Sequence, residues 1–255
     1  MATMAAECAT MTVPLVHGEP SVHGEPTEPR PATLDVALMR VRARQPSGRQ
    51  LWYLAGGPGG AGTSLLPLLH RRYGAAWQGA DFYAIDHRGT GGSHRLSCPA
   101  QEAPGSPGDG LLAPAEVDPC IESLRRDHGD VLPHLTVTAS VHDLAAALEV
   151  TRGRSRVLLW GNSFGTYWAQ RFVERYPEAV DGVFLEALVP VGYSYRAFDH
   201  GMNDAGRRLL QRCADEPACR ERFGADPVAL AEGLPARLHA GHCEALALPV
   251  PASWV

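Results

Sequence analysis

The chain has 255 residues, of which 45% are apolar and 20% charged, with a formal net charge of −5. That length suffices for one large domain or a domain with an insert, and the composition is that of a globular protein and not a disordered one. No basic stripe favours nucleic acid and no apolar run reaches the ~18 residues of a membrane span, which leaves a small molecule or peptide as the expected partner.

The N-terminal run MATMAAECATMTVP lacks the basic segment of a secretory leader, and Glu7 and several Thr interrupt its apolar stretch. As given, the chain reads as cytoplasmic or as N-terminally incomplete. VHGEP occurs at 16–20 and again at 22–26. Two copies are too few for a solenoid, and their Pro and Gly make a loop or a hairpin between edge strands. Metal binding by His17 and His23 is the minor alternative there, and no metal or cofactor is expected. Residues 34–43 alternate apolar and polar through Leu34, Val36, Leu38 and Val41, the period of a half-exposed strand.

Residues 50–55 form a short apolar run that ends in Gly56-Gly57-Pro58-Gly59-Gly60. A second, 81–85, ends in Asp86-His87-Arg88-Gly89-Thr90-Gly91-Gly92-Ser93. Residues 99–119, rich in Pro, Gly and Ala, read as a surface loop. Val141, Leu144, Ala145 and Leu148 recur at helical spacing within 139–151. Residues 155–160 are a buried strand that meets Gly161; a helix follows as far as Pro177, and 180–186 is the next strand. Short apolar strands alternating with helices predict an α/β fold, a mostly parallel sheet with helices on both faces. From Val191 the pattern turns helical, with 198–223 bent at a Cys-bounded kink and 226–241 as a further helix. Residues 1–190 are therefore assigned to the N-terminal part of the core and 191–255 to a partial helical lid. No strong strand follows before Val255, and the last strands of the core are expected to be missing.

Six cysteines are present: Cys8, Cys98, Cys120, Cys213, Cys219 and Cys243. Cys98 and Cys120 flank the Pro/Gly-rich loop, and Cys213 and Cys219 flank a short acidic one. Loop-stapling disulfides in an oxidising compartment and reduced, buried thiols are both compatible with these positions. No CxxC pair or Cys/His spacing suggests zinc.

The chemistry concentrates at Gly161-Asn162-Ser163-Phe164-Gly165. The G-x-S-x-G pattern alone is weak, but here it lies directly between a strand and a helix, the setting of a nucleophile elbow. Gly161 and Gly165 are required because side chains there would collide with the neighbouring strand and helix. Ser163 is then lifted above the sheet, over a helix N-terminus that favours developing negative charge. A small-residue turn that happens to contain Ser is the bland alternative. The loop Gly56–Gly60 can bring backbone N–H groups to the same place, so the amides of Gly57, or a neighbour, and of Phe164 are the candidate oxyanion hole. Pro58 and the absence of G-x-G-x-x-G spacing argue against a dinucleotide loop. The carboxylate and guanidinium of Asp86 and Arg88 are expected to brace the turn beside this loop, and His87 is not expected to be a base.

Taken together, GGPGG, DHRGTGGS and GNSFGTYWAQRFVERYP resemble the prolyl-iminopeptidase and tripeptidyl-aminopeptidase-like branch of the α/β-hydrolases. The opening CATMTVPL, the strand LDVALMRVRA and the pair Cys98 and Cys120 resemble its exported members. The resemblance spans about residues 7–225. It implies a serine exopeptidase that acts on free peptide N-termini without metal or cofactor, with Ser163 as nucleophile and the Gly57 and Phe164 amides as oxyanion donors. Ala55 stands where the family often has His.

In this fold the acid and the base of the triad follow Ser163 in the chain. The histidines after it, His200, His239 and His242, all fall in the predicted lid and none follows a strand. Glu186, at the end of the strand after the nucleophile, is a candidate triad acid, a binder of a substrate amino group, or a strand cap. Serine without a base is a poor nucleophile. The chain is therefore expected to be a C-terminally shortened member of an active family, acting on a peptide or a small ester. An esterase of the same fold and a non-catalytic homologue are the alternatives; a nucleotide-binding protein would need a phosphate loop that is not found.

Overall fold

The computed structural model describes residues 5–17, 32–77, 79–194 and 198–241. The described chain divides into two compact units, Met1–Val191 and Gly192–Val255.

The first unit is built on a six-stranded sheet. Its strands are β1 (Ala6–Pro14), β2 (Thr33–Val41), β3 (Arg49–Leu54), β4 (Ala80–Ile85), β5 (Arg156–Asn162) and β6 (Gly182–Glu186), in the order β1-β2-β4-β3-β5-β6. β1 and β2 pair antiparallel, as do β2 and β4; β4, β3, β5 and β6 are parallel. The mixed, mostly parallel sheet of the α/β-hydrolase fold is thus as expected from the alternating pattern. Four parallel strands end at one edge, and the loops that leave them carry the sequence motifs. Ligand sites of open α/β sheets lie at such carboxyl ends.

Strand β3 explains why the sheet needs cover on both faces. Trp52 and Leu54 enter one core with Tyr83, Ile85, Val157 and Leu159. Leu51, Tyr53 and Ala55 enter a second core with Phe82, Ala84 and Trp160. Side chains alternate across a strand, so an uninterrupted apolar run buries both faces. The helix α1 (Gly62–Tyr73) covers the second face through Leu66. The helices α3 (Val137–Thr151) and α4 (Phe164–Arg175) cover the first, through Val141, Leu144, Leu148, Trp168 and Phe172. The helix α2 (Val117–His128) closes the segment read as a loop from sequence. Cys98 and Cys120 form a disulfide that ties that segment to α2.

The second unit contains α5 (Phe198–Asp215), α6 (Pro217–Phe223), α7 (Pro227–Glu232) and α8 (Leu234–His239). The expected kink lies between α5 and α6, inside the disulfide Cys213–Cys219. The single helix expected over 226–241 is instead two, broken at Gly233 just before Leu234-Pro235. Cys8 is a free, exposed thiol. His23 and Cys243 lie outside the described residues, as does most of the VHGEP pair.

Candidate active site

Strand β5 runs into Ser163, which takes φ 52° and ψ −117° before α4 begins. Positive φ in a non-glycine residue is sparsely populated and costs on the order of 1–3 kcal/mol, so the surroundings must impose it. Two glycines allow them to. A Cβ on Gly165 would lie 1.9 Å from the Leu54 carbonyl oxygen on β3, and one on Gly161 would lie 2.5 Å from the Gly165 oxygen. Strand and helix approach this closely only with hydrogen at both positions. The Ser163 N–H donates to the Glu186 carbonyl at 2.9 Å. The Ser163 carbonyl accepts from Thr166 N at 2.9 Å and from Thr166 Oγ1 at 2.6 Å.

Ser163 is formally the N-cap of α4, yet its hydroxyl makes no capping bond. An N-cap serine ordinarily spends that oxygen on the second or third amide of the helix. Here the half-buried hydroxyl forms no hydrogen bond among the described residues. It is therefore left over a helix N-terminus, where negative charge is favoured.

The glycine loop lies against this elbow. A Cβ on Gly56 would sit 3.0 Å from Ser163 Cβ and 3.1 Å from the Asn162 carbonyl oxygen. Gly57 has φ 125°, and a Cβ there would come within 2.6 Å of Gly59 N. Gly60 N–H donates to Gly56 O at 3.0 Å and closes the turn. Among the described residues the amides of Gly57 and Phe164 donate no hydrogen bond, so both remain free to receive an acceptor. Gly59 N–H points to His87 Nε2 at 3.4 Å, which fixes that nitrogen as an acceptor; Nδ1–H then donates to the Arg88 carbonyl at 3.1 Å. The ring packs on Phe164 and Trp168, at 5.4 and 5.9 Å between centroids. Burial holds its pKa below the usual histidine value, against the opposing pull of its bond to Arg88 and the Asp86 carboxylate. His87 is thus a neutral wall of the loop and not a partner of Ser163.

Asp86 and Arg88 divide the work that the sequence assigned to both. Asp86 is fully buried and accepts from Thr63 N, Thr63 Oγ1 and Gly92 N, at 2.7–2.9 Å. It therefore braces the turn after β4, residues 86–93, against the start of α1. Arg88 turns away from the glycine loop. It grips Asp143 on α3 at 2.6 and 2.8 Å and the carbonyls of Pro14 and Leu15 after β1, so it ties the first strand to the helical layer. Sequence offered no signal for this long-range partner.

Glu186 lies beside the elbow through its backbone, but its exposed side chain turns to the Trp160 indole, whose Nε1–H donates to Oε2 at 3.1 Å. Beneath it, burial raises the Tyr53 pKa, and the Glu186 carboxylate adds to that rise. His200 is on α5 and His239 ends α8, both in the second unit; His242 lies outside the described residues. Among the described residues no histidine hydrogen-bonds to Ser163. The residues that sequence reasoning missed are Thr166 and Gln170, whose bonds reach across to the segment after β6; a Thr and a Gln in an amphipathic helix give no such hint.

A family model described as alpha/beta hydrolase fold matches residues 53–236, and the chain belongs to this family. Among solved structures the chain is similar to a thermostable carboxyl esterase from Bacillus coagulans, with 13% identity and a TM-score of 0.42 over 88% of this chain and 56% of that one. It is similar to an epoxide hydrolase from Vigna radiata, with 17% identity and a TM-score of 0.38 over 79% and 53%. A third is epoxide hydrolase A from Mycobacterium thermoresistibile, with 23% identity and a TM-score of 0.37 over 69% and 42%. The chain thus spans roughly half the length of these structures. No curated protein matches it by sequence.

Proposed function

We propose that the chain is a serine hydrolase of the aminopeptidase type, related to the prolyl-iminopeptidase and tripeptidyl-aminopeptidase-like enzymes. The observation that carries this reading is Ser163: a left-handed residue between β5 and α4 whose hydroxyl caps nothing. Its Oγ would attack the carbonyl carbon of the first scissile bond. The carbonyl oxygen, now negative, would be met by the free amides of Gly57 and Phe164, a contribution of several kcal/mol. Collapse breaks the C–N bond, releases the shortened peptide as an amine and leaves an acyl ester on Ser163, which water hydrolyses. The Ser163 proton would pass to a general base and from it to the leaving amine.

Glu186 fits the capture of a substrate ammonium better than the part of triad acid. An acid of the triad works through a histidine, whereas Glu186 stands exposed at a strand end with one oxygen on Trp160. The helices α5 to α8 of the second unit are proposed to be part of a lid. The substrate is a peptide with a free N-terminus, and no metal or cofactor is invoked.

A fluorophosphonate probe tests the reading. Wild-type protein should gain one adduct, mapped by mass to Ser163, and Ser163→Ala should gain none. Equal, background labelling of the two would overturn the catalytic role. Aminoacyl and tripeptidyl nitroanilides with free or acetylated N-termini, set beside p-nitrophenyl esters, then decide the class. Turnover of esters alone would make the chain an esterase.

A further inference from the structure

We infer that Thr166 is a positioning residue that locks Ser163 in its left-handed conformation by tying the elbow to the segment that leaves β6. Thr166 is fully buried on the first turn of α4. Its hydroxyl donates to the Ser163 carbonyl at 2.6 Å and accepts from Val189 N at 2.8 Å. A hydroxyl has one proton to give and lone pairs to receive, so both functions of this oxygen are used. Gln170, one turn further along the same face, donates through Nε2 to the Val189 carbonyl at 2.8 Å and to the Thr166 carbonyl at 2.9 Å. The Ser163 N–H reaches the same segment at the Glu186 carbonyl. Both backbone groups of the strained serine are therefore committed to the β6 exit, one directly and one through Thr166.

The segment they hold is itself strained. Ala187 has φ 55°, and Ala187 and Leu188 are exposed, so little packing fixes them. The bond set thus joins two positive-φ residues: Ser163 at one end, and at the other Ala187, which lies between its partners Glu186 and Val189. Capping at this helix is also inverted. The third helical residue bonds back to the N-cap carbonyl, and the N-cap hydroxyl stays uncommitted. Without Thr166 Oγ1, the Ser163 hydroxyl has an open route to ordinary N-cap geometry, in which its oxygen is consumed by an amide.

This inference rests on Ser163 as the reactive group, and its test separates the two claims. Hydrogen exchange is read at the amides of Ser163 and Val189 in wild type, Thr166→Val and Thr166→Ser. Val keeps the shape and removes both bonds; Ser keeps the hydroxyl. Thr166→Val should speed exchange roughly tenfold at Val189, whose N–H loses its acceptor, and at Ser163, whose bond to the Glu186 carbonyl is loosened as the elbow is released, with Thr166→Ser near wild type. Gln170→Met, which leaves the elbow intact, should speed Val189 alone. In parallel, the fluorophosphonate labelling rate should fall roughly tenfold in Thr166→Val and recover in Thr166→Ser. Unchanged exchange at Ser163 in Thr166→Val, or an equal acceleration in Thr166→Ser, overturns the lock. Faster exchange with an unchanged labelling rate overturns its effect on Ser163 reactivity. If the wild type labels no faster than Ser163→Ala, the hydrolase reading fails, and the exchange data still decide the lock.

Discussion

Gly165 sits where β3 and α4 come closest, and its hydrogen is a structural requirement. A methyl there would meet the Leu54 oxygen at 1.9 Å and the Ala55 oxygen at 3.0 Å, both of them backbone atoms that cannot rotate aside. Gly153, by contrast, has open space around it and only a positive φ of 53° to protect. Gly165→Ala should therefore destabilise the fold by about 3 kcal/mol or more, as overpacking with backbone displacement does. Gly153→Ala should cost only about 1 kcal/mol, the strain of a side chain in the left-handed region. Urea unfolding of the two variants checks this; equal shifts would mean that the close approach is softer than its geometry. The two elbow glycines were legible from sequence because sterics act within a few residues of the motif. The hydroxyl of Thr166 was not, since its second partner lies 23 residues downstream.

At the scale of elements, the Arg88–Asp143 pair fastens the β1 end to the α-helical layer. The Arg88 side chain is 0% exposed and that of Asp143 is 2%. The guanidinium also serves the carbonyls of Pro14 and Leu15, and His17 Nε2 lies 2.8 Å from Asp143. Removing one member of a buried pair strands the other charge, at a cost of about 3–5 kcal/mol. Asp143→Asn should lower the unfolding free energy by that amount, read from the urea midpoint at constant slope; a shift under about 1 kcal/mol would place the pair among surface-like ones. The strands β3 to β6 were readable as short apolar runs bounded by Gly, Pro or charge, and β2 by its alternation of apolar and polar residues. β1 was not: its residues Ala6–Thr10 are exposed, and what holds them is pairing with β2 and the Arg40 and Arg42 contacts to Glu7. α1 was hidden by Pro67 within its apolar run. α2 was missed although Val117, Cys120, Ile121 and Leu124 recur at helical spacing, because the Pro- and Gly-rich run before it dominates the segment and only Cys120 of the helix is buried.

Across the first unit as a whole, three histidines are held in the neutral form, and this sets how the protein answers acid. Burial lowers the pKa of His87 after β4 below 6.5. Burial and then the Arg44 guanidinium do the same for His70 on α1. On α3, burial followed by His17 and Arg175 lowers His142, with Asp143 opposing and Arg88 adding a little. Each group binds its proton more weakly when folded than when unfolded. Between the ordinary value of 6.5 and the lowered folded values, the unfolded chain therefore holds more protons, and stability rises with pH there. Their contribution is complete above 6.5 and is lost as pH falls through that window. The carboxylates of Glu7, Glu102 and Asp181 are lowered by hydrogen bonds to arginine or backbone N–H, so their contribution is kept until pH drops below the ordinary carboxylate values of 4.5 and 3.8. Acid should thus weaken the protein in two stages, a histidine stage first and a carboxylate stage below it. Thermal or urea midpoints taken from about pH 7.5 down to about pH 5.5 should already fall within the histidine stage. His142→Asn, which keeps a polar side chain beside the Tyr176 hydroxyl, should flatten part of that slope. A midpoint that stays level down to about pH 5 and drops only below it would assign the whole response to the carboxylates and refute the histidine stage.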